Sequence, residues 1–200
     1  MDQFLNAALK EGEVVKWKGT PDPYRLLDED NKKATITTWV IAIAIAAALS
    51  VLYTIYALTG GSVNFQPFVY VLTIGFPLIL FIDPIRDMKH INKQLFAITD
   101  QRILIFHKNT STENKALEFR LENIDAIRVD EIESGYSRIR ICSPAFGLKP
   151  AKTRRSAITG MKDENDKLVA MVFYRLTNSD CDKVCSVLQE KAITIDKGRQ

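Results

Sequence analysis

The feature that most constrains this chain is an uncharged stretch of 49 residues, 34–82, without Asp, Glu, Lys, Arg or His. It contains two apolar runs, 35–58 of 24 residues and 65–82 of 18 residues. As helices they are roughly 36 Å and 27 Å long, and the hydrocarbon core of a bilayer is about 30 Å thick. Both runs therefore predict membrane spans, joined as a hairpin by a short polar link. Two buried helices of a soluble protein are the alternative, but such helices rarely run this long without a charge.

The charges that flank the two runs predict the topology. Lys32 and Lys33 precede the first run, Arg86, Lys89 and Lys93 follow the second, and the link is uncharged. The positive-inside rule then places both termini in the cytosol, so we expect a multi-pass protein of the cytoplasmic membrane. Neither run contains an ionisable residue, which favours an anchor over a transporter.

The hairpin divides the rest of the chain. Residues 1–33 predict a cytosolic juxtamembrane segment, 34–83 the hairpin, 84–93 a connector and 94–195 a cytosolic domain. In the first segment, Trp17 and Tyr24 are candidates for the membrane interface, where amphipathic aromatic side chains collect. The alternative is that both pack on the domain that follows.

From residue 94 the apolar residues alternate with polar ones, which predicts strands. The predicted strands, about seven in meander order, are 95–99, 102–107, 117–121, 124–132, 137–142, 156–161 and 168–174. A helix is predicted to close the chain, with Asn178 or Ser179 as its N-cap, a position that these residue types favour. Its apolar stripe, which should face inward, consists of Cys181, Val184, Cys185, Leu188 and Ala192.

Seven antiparallel strands followed by an amphipathic helix resemble the pleckstrin homology fold. Three features carry the resemblance: residues 13–21 (EVVKWKGTP), the hairpin itself, and residues 96–105 (FAITDQRILI). Together they are similar to bacterial pleckstrin homology-like membrane proteins. The resemblance implies an inner-membrane protein with a seven-stranded sandwich or barrel capped by one C-terminal helix. Phosphoinositide binding does not carry over, because the loop after the strand 95–99 is only Asp100-Gln101 and is not basic.

Residues suited to catalysis or metal binding are sparse. The chain has two histidines and three cysteines, with no metal-ligand spacing and no nucleotide-binding loop. Cys181 and Cys185 have no third ligand on their stripe, so core packing is favoured over a metal site. The run Asp125, Asp130, Glu131 and Glu133 predicts a solvated strand face. We therefore predict no catalytic, metal or cofactor-binding residues and no enzyme activity.

One basic segment is the candidate binding site. Lys149, Lys152, Arg154 and Arg155 lie within seven residues that contain no acid. The segment is either a solvated loop or a contact for anionic lipid head groups or an acidic partner. The net charge of +3 is too small to indicate nucleic-acid binding.

The sequence thus predicts a membrane-anchored binding or scaffold protein, which presents its cytosolic domain to a protein partner, such as a second copy, or to anionic lipid. An accessory or oligomeric pore-type subunit of an inner-membrane complex is the alternative. A membrane-bound enzyme is a third hypothesis, disfavoured by the lack of a catalytic constellation.

Overall fold

The computed structural model describes residues 2–23, 25–27, 29–59, 71–107, 116–124, 126–133, 135–142, 157–158, 160–162, 164–165 and 168–197. The chain forms two compact units. One combines Met1–Tyr24 with Lys89–Gln200, and the other is Arg25–Met88.

The unit Arg25–Met88 is helical. Helix α2 spans Glu29–Leu58, and a π-helical turn, Val71–Gly75, leads into helix α3, Phe76–Ile91. The ring of Trp39 stacks on Phe81 with centroids 5.3 Å apart and planes 6° from parallel. The indole N–H of Trp39 also donates to the Phe81 carbonyl at 3.4 Å. These contacts place the two helices side by side.

Most large apolar side chains of these helices are exposed, among them Val40, Leu52 and Ile79. Of the helices in the described residues, Lys32–Leu58 alone is long and apolar enough to cross a membrane, and little of it is buried. An exposed apolar helix differs from the buried core helix of a soluble protein. The second predicted run is described only from residue 71, and residues 60–64 of the predicted link lie outside the described residues.

The predicted boundary between hairpin and connector at residues 83 and 84 is not a break in the helix. Helix α3 continues through Pro84 to Ile91. Proline costs one intrahelical hydrogen bond at such a position but still permits a helix, usually with a kink.

The other unit is built on two sheets. The first has the order β1-β2-β3-β4, formed by Val15–Gly19, Gln94–Thr99, Arg102–His107 and Leu117–Arg120, all antiparallel. The second has the order β7-β8-β6-β5-β9, formed in chain order by β5 Ala126–Glu133, β6 Tyr136–Cys142, β7 Met161–Lys162, β8 Leu168–Thr177 and β9 Thr194–Lys197. Only the β5–β9 pair is parallel among these described strands.

The main core contains side chains from both sheets, including Phe96, Ile103, Ile139 and Phe173. The ring centroids of Phe96 and Phe173 are 4.5 Å apart. Helix α4, Asn178–Gln189, adds Val184 and Leu188 to this core.

A second apolar cluster lies on the other face of the first sheet. Leu5, from the short helix α1 (Asp2–Ala8), packs there with Leu95, Ala97, Leu104 and Phe106. Every residue of β2 is consequently buried, on both faces of the strand. The alternating pattern of β2 predicted a strand, but it did not predict that both faces of the strand are buried.

The strand predictions need three corrections. Residues 15–19, assigned to a juxtamembrane segment, form β1 and pair with β2. The predicted strand 156–161 is reduced, in the described residues, to the two-residue β7, Met161–Lys162. A further strand, β9, follows α4, so the described residues contain nine strands rather than seven.

Candidate functional site

The two short motifs on either side of the predicted hairpin meet in a buried ionic network. Glu13 lies just before β1, and Arg102 is the first residue of β3. The Arg102 guanidinium donates to both carboxylate oxygens of Glu13, from Nε at 2.8 Å and from Nη2 at 2.7 Å. The Glu13 side chain is completely buried and that of Arg102 is 6% exposed. Such a two-point contact fixes the relative orientation of the two groups in addition to pairing their charges.

The turn between β2 and β3 supplies the rest of the network. The Thr99 hydroxyl donates to Glu13 at 2.7 Å and accepts the Arg102 backbone N–H at 2.9 Å. Asp100 accepts the Val14 backbone N–H at 3.0 Å, and its own N–H donates to the Val14 carbonyl at 3.0 Å. The Thr-Asp-Gln-Arg turn therefore holds the segment before β1 in place.

Arg102 also reaches two further elements. Its Nη1 donates to Glu118 of β4, and its Nη2 donates to the carbonyl of Ala8, the last residue of α1, at 2.8 Å. One side chain thus connects α1, the segment before β1 and β4.

Both members of the Glu13–Arg102 pair stay charged at physiological pH. The hydrogen bond from Arg102 lowers the pKa of Glu13 to about 2, and the hydrogen bond to Glu13 raises the pKa of Arg102. A carboxylate with so low a pKa is unsuited to proton transfer near neutral pH. The network therefore has a structural role: it holds together the segments that form the adjoining surface.

That surface is an open cavity of about 560 Å³. Its lining is Lys10, Asp100, Gln101, Arg102, Glu118, Arg120, Leu121, Glu122 and Lys191. Apart from Leu121 these side chains are polar or charged, whereas pockets for small organic ligands are mostly apolar. The cavity suits a charged, polar partner surface, and it was not predicted from the sequence. Its lining comes from segments far apart in the sequence, so no local pattern marks it.

Most of the predicted binding residues lie in parts of the chain that the structure does not describe. Lys149, Lys152, Arg154 and Arg155 are outside the described residues, as is Tyr24. Trp17 is 8% exposed and belongs to the main core, where its ring lies 6.0 Å from that of Phe173. Of the two alternatives for Trp17, the structure shows packing on the domain rather than a place at the membrane interface.

The predicted acidic face also differs from expectation at Asp130. Its carboxylate is 12% exposed and accepts from Arg128 at 2.9 Å, from Arg138 at 3.3 Å and from Arg140 at 2.9 Å. Burial opposes the ionised form, but the bonds from Arg128 and Arg140 outweigh it and lower the pKa of Asp130. Asp130 is therefore a paired carboxylate, because the adjacent strand β6 places Arg138 opposite it and Arg140 two residues along the same strand.

Within the described residues, no group of three or more His, Cys, Asp or Glu side chains could hold a metal ion. No family model matches the chain, and no curated protein matches it. Function is therefore inferred from the chain's own residues.

Proposed function

We propose that this chain is a membrane-anchored binding protein whose two-sheet domain is of the pleckstrin homology-like type. The observation that carries the proposal is the position of the apolar helix Lys32–Leu58, which interrupts the sequence between the paired strands β1 and β2. A hairpin inserted there ties the domain to the bilayer through two covalent connections. With Lys32 and Arg86 flanking it, the domain faces the cytosol.

The order of elements supports the pleckstrin homology-like assignment. Setting aside the two-residue β7, seven strands precede α4 and pair in antiparallel fashion with one another along the two sheets. An amphipathic helix then follows, with Cys181, Val184 and Leu188 buried. Strand β9 is an addition to this order. The membrane hairpin is an insertion after the first strand.

The charged cavity favours a protein partner. Lys10 is 3.7 Å from Glu118, and Arg120 is 3.2 Å from Glu122, so the rim carries closely spaced charges of both signs. Complementary rim charges provide specificity and fast association more than affinity. The partner we propose presents a mixed-charge surface at the cytosolic side of the membrane.

Site-specific photocrosslinking in native membranes tests this function. A photoreactive amino acid at Lys191, in the cavity lining, should capture one defined partner, and the substitution Arg120→Glu should abolish the capture. The control position is Lys183, which is exposed, pairs with Asp180 and is not part of the lining. Equal capture from both positions, or capture insensitive to Arg120→Glu, would contradict a binding role for the cavity.

The basic segment gives the lipid alternative its own test. The protein is placed in nanodiscs with or without anionic lipid, and hydrogen exchange is measured for the peptide that covers 149–155. Anionic lipid binding predicts protection at low salt only, since exposed charges are screened over about 8–10 Å near physiological ionic strength. Changing Lys149, Lys152, Arg154 and Arg155 to Gln should remove the protection. No protection in anionic discs would exclude lipid as the ligand of this segment.

The oligomeric state tests the alternative function. If the mass of the protein in detergent, corrected for bound detergent, corresponds to a ring of several copies, the oligomeric pore-type subunit is favoured over the anchored binding protein.

A further inference from the structure

Two of the three cysteines lie one turn apart on helix α4. Cys181 and Cys185 occupy positions i and i+4, which share a helix face. This spacing places the two side chains next to each other, and neither residue forms a disulfide. Cys181 is 4% exposed, and Cys185 is half-buried. Two reduced thiols on neighbouring turns of one helix face, with one of them accessible, are the arrangement that oxidation of a thiol pair requires.

A cavity gives solvent access to this pair. It has a volume of about 470 Å³, and both Cys181 and Cys185 line it. Charged side chains in the lining are Glu131, Asp182 and Lys197. A small polar oxidant can therefore reach the thiols from solvent without opening the core.

The surroundings assign different protonation states to the two sulfurs. The hydrogen bond from Cys181 lowers the pKa of Cys185, and Lys197 acts in the same direction, against burial and Asp182. The same hydrogen bond, together with burial, raises the pKa of Cys181. Of the two sulfurs, Cys185 is thus the one whose thiolate form is favoured, and Cys181 is the one whose protonated form is favoured. By contrast, burial raises the pKa of Cys142, which is 3% exposed.

We propose that Cys181 and Cys185 form a redox-sensitive thiol pair that reacts with hydroperoxides. The Cys185 thiolate attacks one oxygen of the peroxide. The O–O bond breaks, the sulfur becomes a sulfenic acid, and the leaving alkoxide or hydroxide takes a proton from solvent. The Cys181 sulfur then attacks the sulfenic sulfur, the S–O bond breaks, and water leaves with the Cys181 proton. Two thiols lose two electrons, and the peroxide gains them.

Forming the disulfide changes helix α4. Residues at i and i+4 of a helix have Cβ atoms about 5–6 Å apart, whereas a disulfide needs about 3.5–4.5 Å. The turn between Cys181 and Cys185 must therefore tighten. Because α4 contacts β1, β6, β8 and β9, oxidation weakens the packing of the closing helix. Exchange with a reducing thiol restores the original state.

Mass spectrometry of the full-length protein in nanodiscs tests the proposal. After exposure to hydrogen peroxide, the wild type should lose two hydrogen atoms in intact mass and keep one alkylatable thiol, Cys142. The variant Cys181→Ser should stop at the sulfenic acid, which dimedone traps on Cys185. The variant Cys142→Ser is the matched control and should oxidise like the wild type.

Three results would overturn the proposal. We expect Cys142 to react at least about tenfold more slowly than Cys185, because Cys142 is buried and has a raised pKa. The first contradicting result is therefore oxidation of Cys142 as fast as that of Cys185. The second is a Cys185→Ser variant that forms sulfenic acid at the wild-type rate. The third is a covalent dimer as the main product, seen on a non-reducing gel. Circular dichroism of each reduced variant verifies that the fold is retained.

Discussion

Arg102 is the residue on which most of the buried polar structure depends. It contacts Glu13, Glu118 and the Ala8 carbonyl, and its side chain is 6% exposed. A buried ion pair gives little net stability over an apolar pair, but removing one partner leaves an uncompensated charge. The network therefore acts as a specificity device, since it fixes which segment lies beside the β2–β3 turn.

Removing the Arg102 side chain should be strongly destabilising. We expect Arg102→Ala to lower the free energy of unfolding by about 3–5 kcal/mol, because Glu13 would remain buried without its partner. Arg120→Ala is the control, since Arg120 is its cross-strand neighbour but pairs with Glu122 at the surface. That change should cost about 1 kcal/mol or less. Urea unfolding of both variants measures the difference, and similar losses would show that the network is not buried.

The same pair predicts a pH dependence. The pKa of Glu13 is 4.5 ordinarily and about 2 in the folded protein, so the unfolded state binds the proton more readily. The stabilisation is complete above pH 4.5 and is lost as the pH falls from about 4.5 to 2. In Glu13→Gln this component should vanish and the acid limb of the stability curve should flatten. Glu122→Gln, at an exposed pair, should leave the limb as steep as in the wild type.

At the scale of one element, helix α4 shows which features the local sequence pattern predicts and which it does not. Its stripe predicted Cys181, Val184 and Leu188 as inward-facing, and all three are buried. Asn178 or Ser179 was predicted as the N-cap of this helix, but the N-cap is Thr177, which accepts the Asp180 N–H at 3.2 Å. Ala192 was wrongly included, because the helix ends at Gln189 and Ala192 adopts a φ of 59° in the following turn. Ala192 continues the apolar spacing of the helix only by chance.

Neighbouring positions near the end of α4 should differ sharply. Leu188 is fully buried and Gln189 is exposed. Leu188→Ala should lower the free energy of unfolding by about 2–5 kcal/mol through lost contacts and a cavity. Gln189→Ala should change it by less than about 0.5 kcal/mol. Thermal unfolding of the two variants in the same detergent makes the comparison, and equal shifts in Tm would show that the helix presents a different face to the core.

The strands were predictable where alternation extends over five or more residues and less so elsewhere. Strands β2, β3 and β6 lie within one residue of their predicted limits. Strand β9 was not predicted. Its four residues are too few to show a clear alternation, and its partner β5 is remote in the sequence. The cavity residues and the Glu13–Arg102 contact were not predictable either. Glu13 and Arg102 are 89 positions apart, and no local periodicity relates such residues.

At the scale of the whole molecule, the apolar helical segment lies within the sequence of the two-sheet unit rather than before it. The alternating pattern, which begins at residue 94, predicts that the domain begins there. The compact unit instead combines Met1–Tyr24 with Lys89–Gln200. Composition indicates where a membrane segment lies, but only tertiary contacts show that the chain before it completes the sheet after it. Trp17, with its ring 6.0 Å from Phe173, is the clearest of these contacts.

This organisation predicts which soluble fragment folds. Residues 93–200 alone lack β1, which would expose the β2 edge, remove Trp17 from the core and leave Arg102 without Glu13. Losing a core Trp costs about 3–5 kcal/mol and breaking a buried ion pair a similar amount, against a typical domain stability of about 5–15 kcal/mol. We expect fragment 93–200 to lack a cooperative unfolding transition. A chain that joins 1–24 to 89–200 through a Gly/Ser linker should unfold cooperatively in urea, followed by Trp17 fluorescence and circular dichroism. If both proteins unfold with the same midpoint by circular dichroism, β1 is dispensable and the hairpin is a separate N-terminal anchor.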